Sequence, residues 1–332
     1  MPKPSRRFAV AVLCLTLGIG LATSTAIADV GEVGGDWTPV APLPDKRTEV
    51  SVATDGQRIF LAGGFEQVGE DDTRAPRAVY AYDPAEDGWE ALTELPAGVN
   101  HTGLEYLDGK LYVIAGFHEN TFDPISCFRI YDIETDTWSS GPSVPTPRGA
   151  LATAVVDGRI HVIGGMSHGR EDVAAHEVYD PETSRWTRRA PLPTPRNHHR
   201  AATLDGRIVV LAGRDDTTFR LTTNEIYDPE TDRWDQGAPV PTGRSGVAVA
   251  VLDGKIYLFG GETFEPRERT FDEAERYSLE EDRWERLPPM PTARHGLDAA
   301  AVGGAIYVIS GGPDAGFAFS DVNERLIPED AE

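Results

Sequence analysis

Short stretches in which apolar and polar residues alternate follow one another along most of this chain, with turns between them. In one typical unit, residues 151–156 and 159–163 form two such stretches around an Asp157-Gly158 turn, and residues 176–179 and 186–188 form two more. Alternation over a few residues is typical of β-strands, and Asp-Gly favours a tight hairpin. Each unit is therefore predicted to form four short antiparallel strands.

One period organises these units along the chain. The six tryptophans are spaced 52, 49, 48, 48 and 50 residues apart, and glycine pairs and Asp-Gly-type turns keep the same period. The tryptophans are Trp37, Trp89, Trp138, Trp186, Trp234 and Trp284. The glycine pairs or near-pairs are Gly63-Gly64, Ala115-Gly116, Gly164-Gly165, Ala212-Gly213, Gly260-Gly261 and Gly311-Gly312. Several first strands are rich in small residues, which suits strands that converge on an axis, so an all-β propeller is predicted.

The run from a glycine pair through Tyr-Asp-Pro to Trp resembles the kelch repeat. One copy runs from Gly164-Gly165 through Tyr179-Asp180-Pro181 to Trp186, and another ends at Trp89. The resemblance covers nearly the whole chain after the first 35 residues and implies a kelch β-propeller.

The two ends of the repeat region are each incomplete. An orphan strand around Trp37 precedes the first unit, whereas the last unit has no tryptophan. Joining them predicts one domain over residues 36–327, a six-bladed kelch β-propeller whose last blade is closed by the N-terminal strand. Closure of this kind removes exposed sheet edges.

The first 28 residues have the pattern of a secretory signal peptide. A positive start at Lys3, Arg6 and Arg7 precedes an apolar run, which ends in a small-x-small cleavage site before Asp29. The alternatives left open are an uncleaved N-terminal anchor and export through the twin-arginine route rather than the general one. We therefore predict an exported protein, periplasmic or extracellular, with a linker at 29–35 and an acidic tail at 328–332.

Composition narrows the class of partner. The chain has 31 Lys and Arg against 54 Asp and Glu, a net charge of −23, so a nucleic-acid-binding surface is not predicted. Without the signal peptide Cys127 is the only cysteine, which leaves no intrachain disulfide. A copper site built on a Cys–Tyr crosslink with Tyr and His ligands is not predicted, because only this one cysteine remains and no Tyr-His dipeptide occurs. No phosphate loop or nucleophile elbow is present, so no cofactor is predicted.

Basic residues recur at the entry to the first strand of most units. These arginines are Arg47, Arg148, Arg196, Arg244 and Arg294, and they belong to the face that carries the longer and more variable loops. A ring of arginines could bind a carboxylate-bearing ligand through bidentate contacts. Alternatively, a residue that every blade repeats serves the fold, here by pairing with the third-strand acids Glu177, Glu225 and Glu275.

The kelch resemblance implies that residues beside these arginines contact a partner. The ligand-binding residues predicted in this way, in addition to the arginines, are Asn197, His198, His199, Arg200, Ser245 and His295. His101 is added to the set because Asn100-His101 stands near the equivalent place in unit two. Six of the eight histidines fall on the loops of this face, as metal ligands or as a polar rim.

Two further patterns suggest specific chemistry. His168, Asp172 and His176 share a three-residue spacing that resembles the Glu-x3-Asp-x3-His iron motif of plant nitrile-specifier kelch proteins, with His in place of Glu. Glu262 directly after a glycine pair, with Arg267 and Arg269 following, resembles the bacterial sialic acid mutarotases. That resemblance implies Glu262 as a general acid or base and an arginine for the sugar's carboxylate.

These patterns leave two functions open. The first is a monomeric binding module for a protein, a peptide or an acidic glycan, with no membrane contact after signal cleavage. The second is a sugar mutarotase or epimerase, an isomerase in which Glu262 acts on the anomeric centre.

Overall fold

Strands make up almost all the regular structure of the residues that the structure describes. The computed structural model describes residues 30–69 and 72–330. Within them the one helical element is a three-residue 3-10 turn, His168–Arg170. No helix in this part of the chain is long and apolar enough to cross a membrane. The predicted signal peptide lies outside the described residues.

Six four-stranded antiparallel sheets, the blades, follow one another along the chain. The first three, each from first to fourth strand, are Ser51–Thr54, Ile59–Ala62, Val79–Asp83 and Gly88–Leu92; Gly103–Leu107, Lys110–Ile114, Phe128–Asp132 and Thr137–Ser140; Ala152–Val156, Arg159–Ile163, His176–Asp180 and Arg185–Arg188. The last three are Arg200–Leu204, Arg207–Leu211, Asn224–Asp228 and Arg233–Gln236; Ala248–Leu252, Lys255–Phe259, Ala274–Ser278 and Arg283–Arg286; Asp298–Val302, Ala305–Ile309, Asn323–Pro328 and Gly35–Pro39.

The first strands of the blades surround a common axis. Each lies beside the first strands of the two neighbouring blades, and that of blade six lies beside that of blade one. Small additional sheets stand on the loops at one end. One has three strands, Arg47–Thr48, Phe65–Gln67 and Thr73–Arg74, and two have two strands, Val99–Asn100 with Phe117–His118 and Glu262–Thr263 with Arg269–Thr270. The prediction of a six-bladed β-propeller is confirmed.

The N-terminal strand supplies the outer edge of blade six. Gly35–Pro39 pairs antiparallel with the strand that ends at Pro328, and Trp37 lies opposite Leu326. The Trp37 indole packs edge-on against Phe259 of blade five, and its N–H donates to the Pro288 carbonyl at 3.0 Å. The other five tryptophans donate in the same way to the carbonyls of Ala41, Thr93, Pro142, Ala190 and Ala238, each just after the fourth strand of the preceding blade.

The core lies between adjacent blades rather than inside any one of them. For example, Val209 and Leu211 of blade four pack with Ile256 and Leu258 of blade five. Because every such layer is shared by two blades, the blades stabilise one another around the ring.

Both ends of the described chain dock on blade five. In the segment predicted as a linker, Gly31–Glu32 pairs in parallel with residues 285–286 and adds a fifth strand. Asp330, within the predicted acidic tail, receives two hydrogen bonds from Arg276 at 2.7 and 2.8 Å.

Candidate ligand site at the centre of the loop face

The five recurring arginines point into the protein rather than towards a ligand. All five are completely buried. Arg148 donates to Glu177 and to the Thr146 carbonyl, both at 2.7 Å, and to the Val162 carbonyl at 2.9 Å. Arg196, Arg244 and Arg294 repeat this pattern with Glu225, Glu275 and Glu324. Of the two roles that the sequence left open, the structure supports the pairing role, and we exclude these arginines from the candidate ligand site.

In blade one the buried arginine is also paired with a carboxylate, but the partner comes from a different position in the repeat. Arg47 forms two hydrogen bonds with Asp45, at 2.6 and 2.8 Å, and Tyr80 donates to the same carboxylate at 2.9 Å. Asp45 stands where blades three to six have a threonine, and Tyr80 stands where those blades have the glutamate. The buried charge is thus neutralised in every blade that carries the arginine, because an unpaired buried charge would be costly.

In every blade the backbone is left-handed at one position, two residues after the place of the buried arginine. The six residues of this axial ring are Glu49, His101, Ala150, His198, Gly246 and Gly296, with φ between 50° and 65°. Backbone hydrogen bonds join consecutive ring positions, such as the N–H of Ala150 to the carbonyl of His101 at 2.9 Å and that of Gly246 to the carbonyl of His198 at 2.9 Å. The ring therefore lies where the loops of all six blades meet.

Only three ring positions carry a polar side chain. A left-handed residue other than glycine costs on the order of 1 kcal/mol, and such strain often accompanies functional sites. Glu49, His101 and His198 occupy this conformation although blades five and six use glycine there. This distribution identifies the three residues as candidates for function.

The three side chains meet at the floor of a pocket on the axis. His101 Nε2 lies 3.1 Å from His198 Nε2 and 3.4 Å from Glu49 Oε2. Each histidine Nδ1 lies within hydrogen-bond distance of the side-chain oxygen of the asparagine before it, Asn100 or Asn197. The preceding asparagines therefore fix the orientation of both imidazole rings.

A guanidinium and a second carboxylate complete the polar lining. Arg214 donates to His198 Nε2 at 2.9 Å and to Glu262 Oε1 at 3.0 Å. Glu262 Oε2 accepts the backbone N–H of Gly316 at 2.8 Å and lies 3.6 Å from the Nε2 of the buried His295. Glu262 is thus held in place by groups from blades four and six.

Phenylalanines from five blades form the rim of this pocket. They are Phe65, Phe122, Phe219, Phe264 and Phe317, and with Thr48, Gly316 and the polar floor they enclose about 290 Å³. Phe65 is buried against Phe317, whereas residue Phe317 is itself 66% exposed. We call this space, from the axial ring to the phenylalanine rim, the axial pocket.

Burial sets the charge state of the floor. Burial lowers the pKa of His101 to about 4, against an opposing effect of Glu49, and Arg214 adds to the lowering. Burial and then Arg214 also hold the pKa of His198 well below its usual value. Burial acts to raise the pKa of Glu49, but His101 and His295 when protonated, and the charges of Arg214 and Arg200, lower it overall. At neutral pH the floor therefore presents two neutral imidazoles beside an ionised carboxylate.

The other predicted ligand-binding residues have separate places. Asn197 lies behind His198, and His295 lies behind Glu262. Ser245 is buried and pairs with the backbone of Glu262, and His199 is buried with its Nε2 3.1 Å from the Ile163 carbonyl. Arg200 crosses the axis beneath the ring, where it donates to the carbonyls of Val50, Val247 and Leu297.

The three residues of the predicted metal motif do not form one site. His176 is buried in blade three, where its Nε2 lies 2.9 Å from His161 Nδ1. Asp172 accepts from Asn197, and His168 is exposed in the 3-10 turn. Of the three, His176 belongs to the blade core, because its place at the start of a strand directs its side chain inward.

Of the predicted catalytic set, only Glu262 reaches the axial pocket. Arg267 and Arg269 are exposed on the following loop, where Arg269 pairs with Glu273 and lies over the Phe271 ring. The cation beside Glu262 is instead Arg214, at 3.0 Å, a residue outside the set predicted from the sequence.

The positions of Arg214 and Glu49 within the repeat could have identified them as site residues. Arg214 directly follows Gly213, just as Glu262 directly follows Gly261, so the two occupy equivalent positions in neighbouring blades. Glu49 and His198 each lie two residues after a buried arginine. Aligning the units at these two positions would have brought Glu49 and Arg214 into the site. The phenylalanines of the rim lie in loops of unequal length and share no such register.

Comparison with known proteins agrees with this architecture. The family model described as the KLHDC2/KLHL20/DRC7 Kelch-repeats domain matches residues 188–312, and the Kelch motif matches residues 100–145 and 147–193. Together with the four-stranded blades and their tryptophans, these matches define the class: a kelch-type β-propeller. The chain belongs to the kelch-repeat family.

Individual relatives share only part of their length with this chain. Kelch-like protein terF of Aspergillus terreus is 28% identical over 161 residues, which is 46% of this chain and 35% of that protein. Human Kelch-like protein 33 is 30% identical over 127 residues, 38% of this chain and 23% of that protein. The chain thus matches about a quarter to a third of the length of these relatives.

Among solved structures, that of YjhT resembles this chain over most of its length. The TM-score is 0.72 at 17% sequence identity, and the match covers 85% of this chain and 96% of that one. At this level of identity the likeness concerns the fold.

Proposed function

We propose that the axial pocket binds a single sugar ring and that this binding is the function of the protein, exported to the periplasm or outside the cell. The observation that carries the proposal is the convergence of carboxylates, a guanidinium and imidazoles at the floor with five phenylalanines at the rim. Small-molecule sites typically combine an apolar wall with a few convergent polar groups.

The size and lining of the pocket favour a sugar ring. A volume of about 290 Å³ accommodates one such ring rather than an extended chain. Hydroxyl groups can donate to Glu49 and Glu262 and accept from Arg214, while the C–H face of the ring packs against phenylalanine.

The charges bear on whether the sugar is acidic. Arg214 already pairs with Glu262, and the lining contains two glutamates against this one guanidinium. A carboxylate on the ligand would have to share Arg214, so hydroxyl-rich rings fit better than strongly acidic glycans. A protein or peptide partner would instead use the wider rim, where Phe317 and Phe219 are exposed.

A calorimetric screen of neutral sugars, sugar acids and peptides tests the proposal. We expect at least one monosaccharide to bind wild type, and Arg214→Met to weaken that binding by about 10-fold or more. The matched control is Arg267→Met, which removes an exposed arginine outside the pocket and should leave binding unchanged. Binding of peptides alone, or equal loss in both variants, would overturn the proposal.

Sugar mutarotation is a second candidate function, favoured by the position of Glu262. Its carboxylate lies between Arg214 and His295, at distances of 3.0 and 3.6 Å. Ring opening needs a base to take the proton of the anomeric hydroxyl while an acid protonates the ring oxygen, and closure on the other face reverses both transfers. Glu262 would serve as the base.

Polarimetry or NMR of anomer exchange separates catalysis from binding. The catalytic alternative predicts that wild type accelerates exchange of a bound sugar or of sialic acid and that Glu262→Gln abolishes the acceleration without lowering the melting temperature. If wild type binds the sugar but does not accelerate anomer exchange, the catalytic alternative is excluded and the binding function remains.

A further inference from the structure

The two histidines of the axial pocket are held so that their Nε2 atoms face each other. Asn100 Nδ2 donates to the carbonyls of Glu119 and Thr121, so its side-chain oxygen must face His101 Nδ1. Each ring has only two nitrogens, so an Nδ1–H committed to asparagine leaves Nε2 as a lone pair in the neutral ring.

The same holds for the second histidine. Asn197 Nδ2 donates to Asp172, and Asn197 Oδ1 accepts from Arg214 Nε at 3.2 Å, which directs that oxygen towards His198 Nδ1. Two lone pairs thus lie 3.1 Å apart at the bottom of the pocket. His198 Nε2 accepts from Arg214, whereas His101 Nε2 faces this lone pair and the Glu49 carboxylate.

The other histidine pair in the described residues has no such conflict. In blade three, His176 Nδ1 lies 3.1 Å from the Ala190 carbonyl and His176 Nε2 lies 2.9 Å from His161 Nδ1. Each N–H there can donate to an acceptor, so that pair forms a complete hydrogen-bonded chain. The pair in the axial pocket instead presents two acceptors to a common point.

We propose that Glu49, His101 and His198 bind a divalent transition-metal ion at the floor of the axial pocket. Their ligand atoms all lie within 4.8 Å of one another. Two nitrogens bound at about 2.1 Å and roughly at right angles are about 3.0 Å apart, close to the observed 3.1 Å. Two histidines and one carboxylate on one face of a metal form a recurring donor set that leaves other coordination positions open.

The surroundings suit a metal in three ways. The asparagine oxygens accept the outer N–H of each histidine, as the partners of metal-bound histidines generally do. The pocket lining carries more negative than positive charge. Because the three residues line the pocket, the open positions face the space where a sugar hydroxyl would sit.

Arg214 competes with the metal in this arrangement. Its Nη2 donates to the lone pair of His198 that the metal needs, at 2.9 Å. Metal binding therefore requires Arg214, whose side chain is partly exposed, to turn away from His198. Removing the guanidinium should tighten metal binding, an effect opposite to that expected of a structural residue.

The test uses untagged protein stripped with a chelator. We expect one Zn²⁺ per chain by equilibrium dialysis and elemental analysis, and a visible absorption spectrum with Co²⁺. His198→Gly copies the native residue of blades five and six at this position and should fold while losing stoichiometric metal. Asn197→Ala should weaken binding about 10- to 100-fold, and Arg214→Met should strengthen it.

His168→Ala is the matched control, since it removes an exposed histidine of the same face outside the cluster. It should bind Zn²⁺ like wild type. Absence of stoichiometric Zn²⁺ from wild type, or equal binding by His198→Gly with an unchanged Co²⁺ spectrum, would overturn the proposal. Neither outcome bears on sugar binding measured without metal, so the two proposals can fail separately.

Discussion

At the residue scale, charge alone does not show whether an arginine is structural or functional. The five repeated arginines are buried and each is paired with a carboxylate, while the functional candidate Arg214 occurs once and keeps part of its surface exposed. In a repeat protein, a residue present in most units serves the fold of each unit. The residues that differ between units at an equivalent position are the candidates for function.

Arg148 offers a direct measure of the structural role. We expect Arg148→Met to lower the free energy of unfolding by about 3–5 kcal/mol, because the buried Glu177 loses its close counter-ion and keeps only the exposed Arg188 at 4.0 Å. Adding Glu177→Gln should restore a large part of the loss. Urea unfolding measures both variants.

Ligand binding provides the control for that pair. The folded double variant should bind sugar like wild type, since neither residue lines the axial pocket. If a stable double variant loses sugar binding, the buried arginines contribute to the ligand site and their purely structural role is wrong.

At the element scale, each blade repeats the same bonds with exchangeable residues. His176 occupies the place of Asn224 and Asn323, whose side chains donate to the equivalent carbonyls at 3.0 and 2.8 Å. His161 occupies the place of Val209 in blade four. Blade three therefore carries a histidine pair where blade four needs none.

This pair should make blade three sensitive to acid. Burial lowers the pKa of His161 to about 3 and that of His176 to about 4, below the usual value near 6.5. The unfolded chain then binds protons first as the pH falls, so the stabilising effect of the neutral pair is complete above about pH 6.5 and is lost towards pH 4. For His176 alone the loss between pH 7 and pH 5 is about 2 kcal/mol.

The double variant His161→Val/His176→Asn copies blade four and tests this effect. Its free energy of unfolding should fall less than that of wild type between pH 7 and pH 5, by about 2 kcal/mol or more. Denaturant titrations at both pH values give the comparison. Parallel pH dependence in the two proteins would show that these histidines are not the titrating groups.

The repeat period also limits what the sequence could predict at this scale. The repeat predicted the strands and turns correctly, and it assigned Trp37 to blade six, because these features depend on residue patterns that recur in each unit. It placed the last glycine pair at Gly311-Gly312, whereas the structure has Ser310-Gly311 in register, with the Gly311 N–H donating to the Arg47 carbonyl. It could not show that Arg148 turns inward, because side-chain direction depends on the packing of neighbouring blades.

At the scale of the whole molecule, one strand joins the two ends of the propeller. Deleting residues 36–44 should lower the melting temperature by about 10 °C or more, because Trp37 leaves the core and the last strand of blade six becomes an exposed edge. Deleting only residues 30–32, the added strand on blade five, should cost much less. Equal melting temperatures for wild type and the 36–44 deletion would contradict the role of this strand.

The axial pocket is also a property of the whole molecule. Glu49, His101, His198, Arg214 and Glu262 come from four different blades and meet only because the blades close around one axis. Sequence resemblance selected Glu262, and the loop position selected both histidines. Glu49 and Arg214 were missed because their significance lies in contacts across the axis.

The central claim is that ligands bind in the axial pocket rather than elsewhere on the propeller. Hydrogen–deuterium exchange with and without the best-binding sugar from the calorimetric screen locates the site without any mutation. We predict protection confined to the segments that surround the pocket, 47–50, 99–102, 120–123, 196–199, 213–219, 261–265 and 314–318. Protection of the opposite face instead, at turns such as 180–185 and 228–233, would contradict the claim.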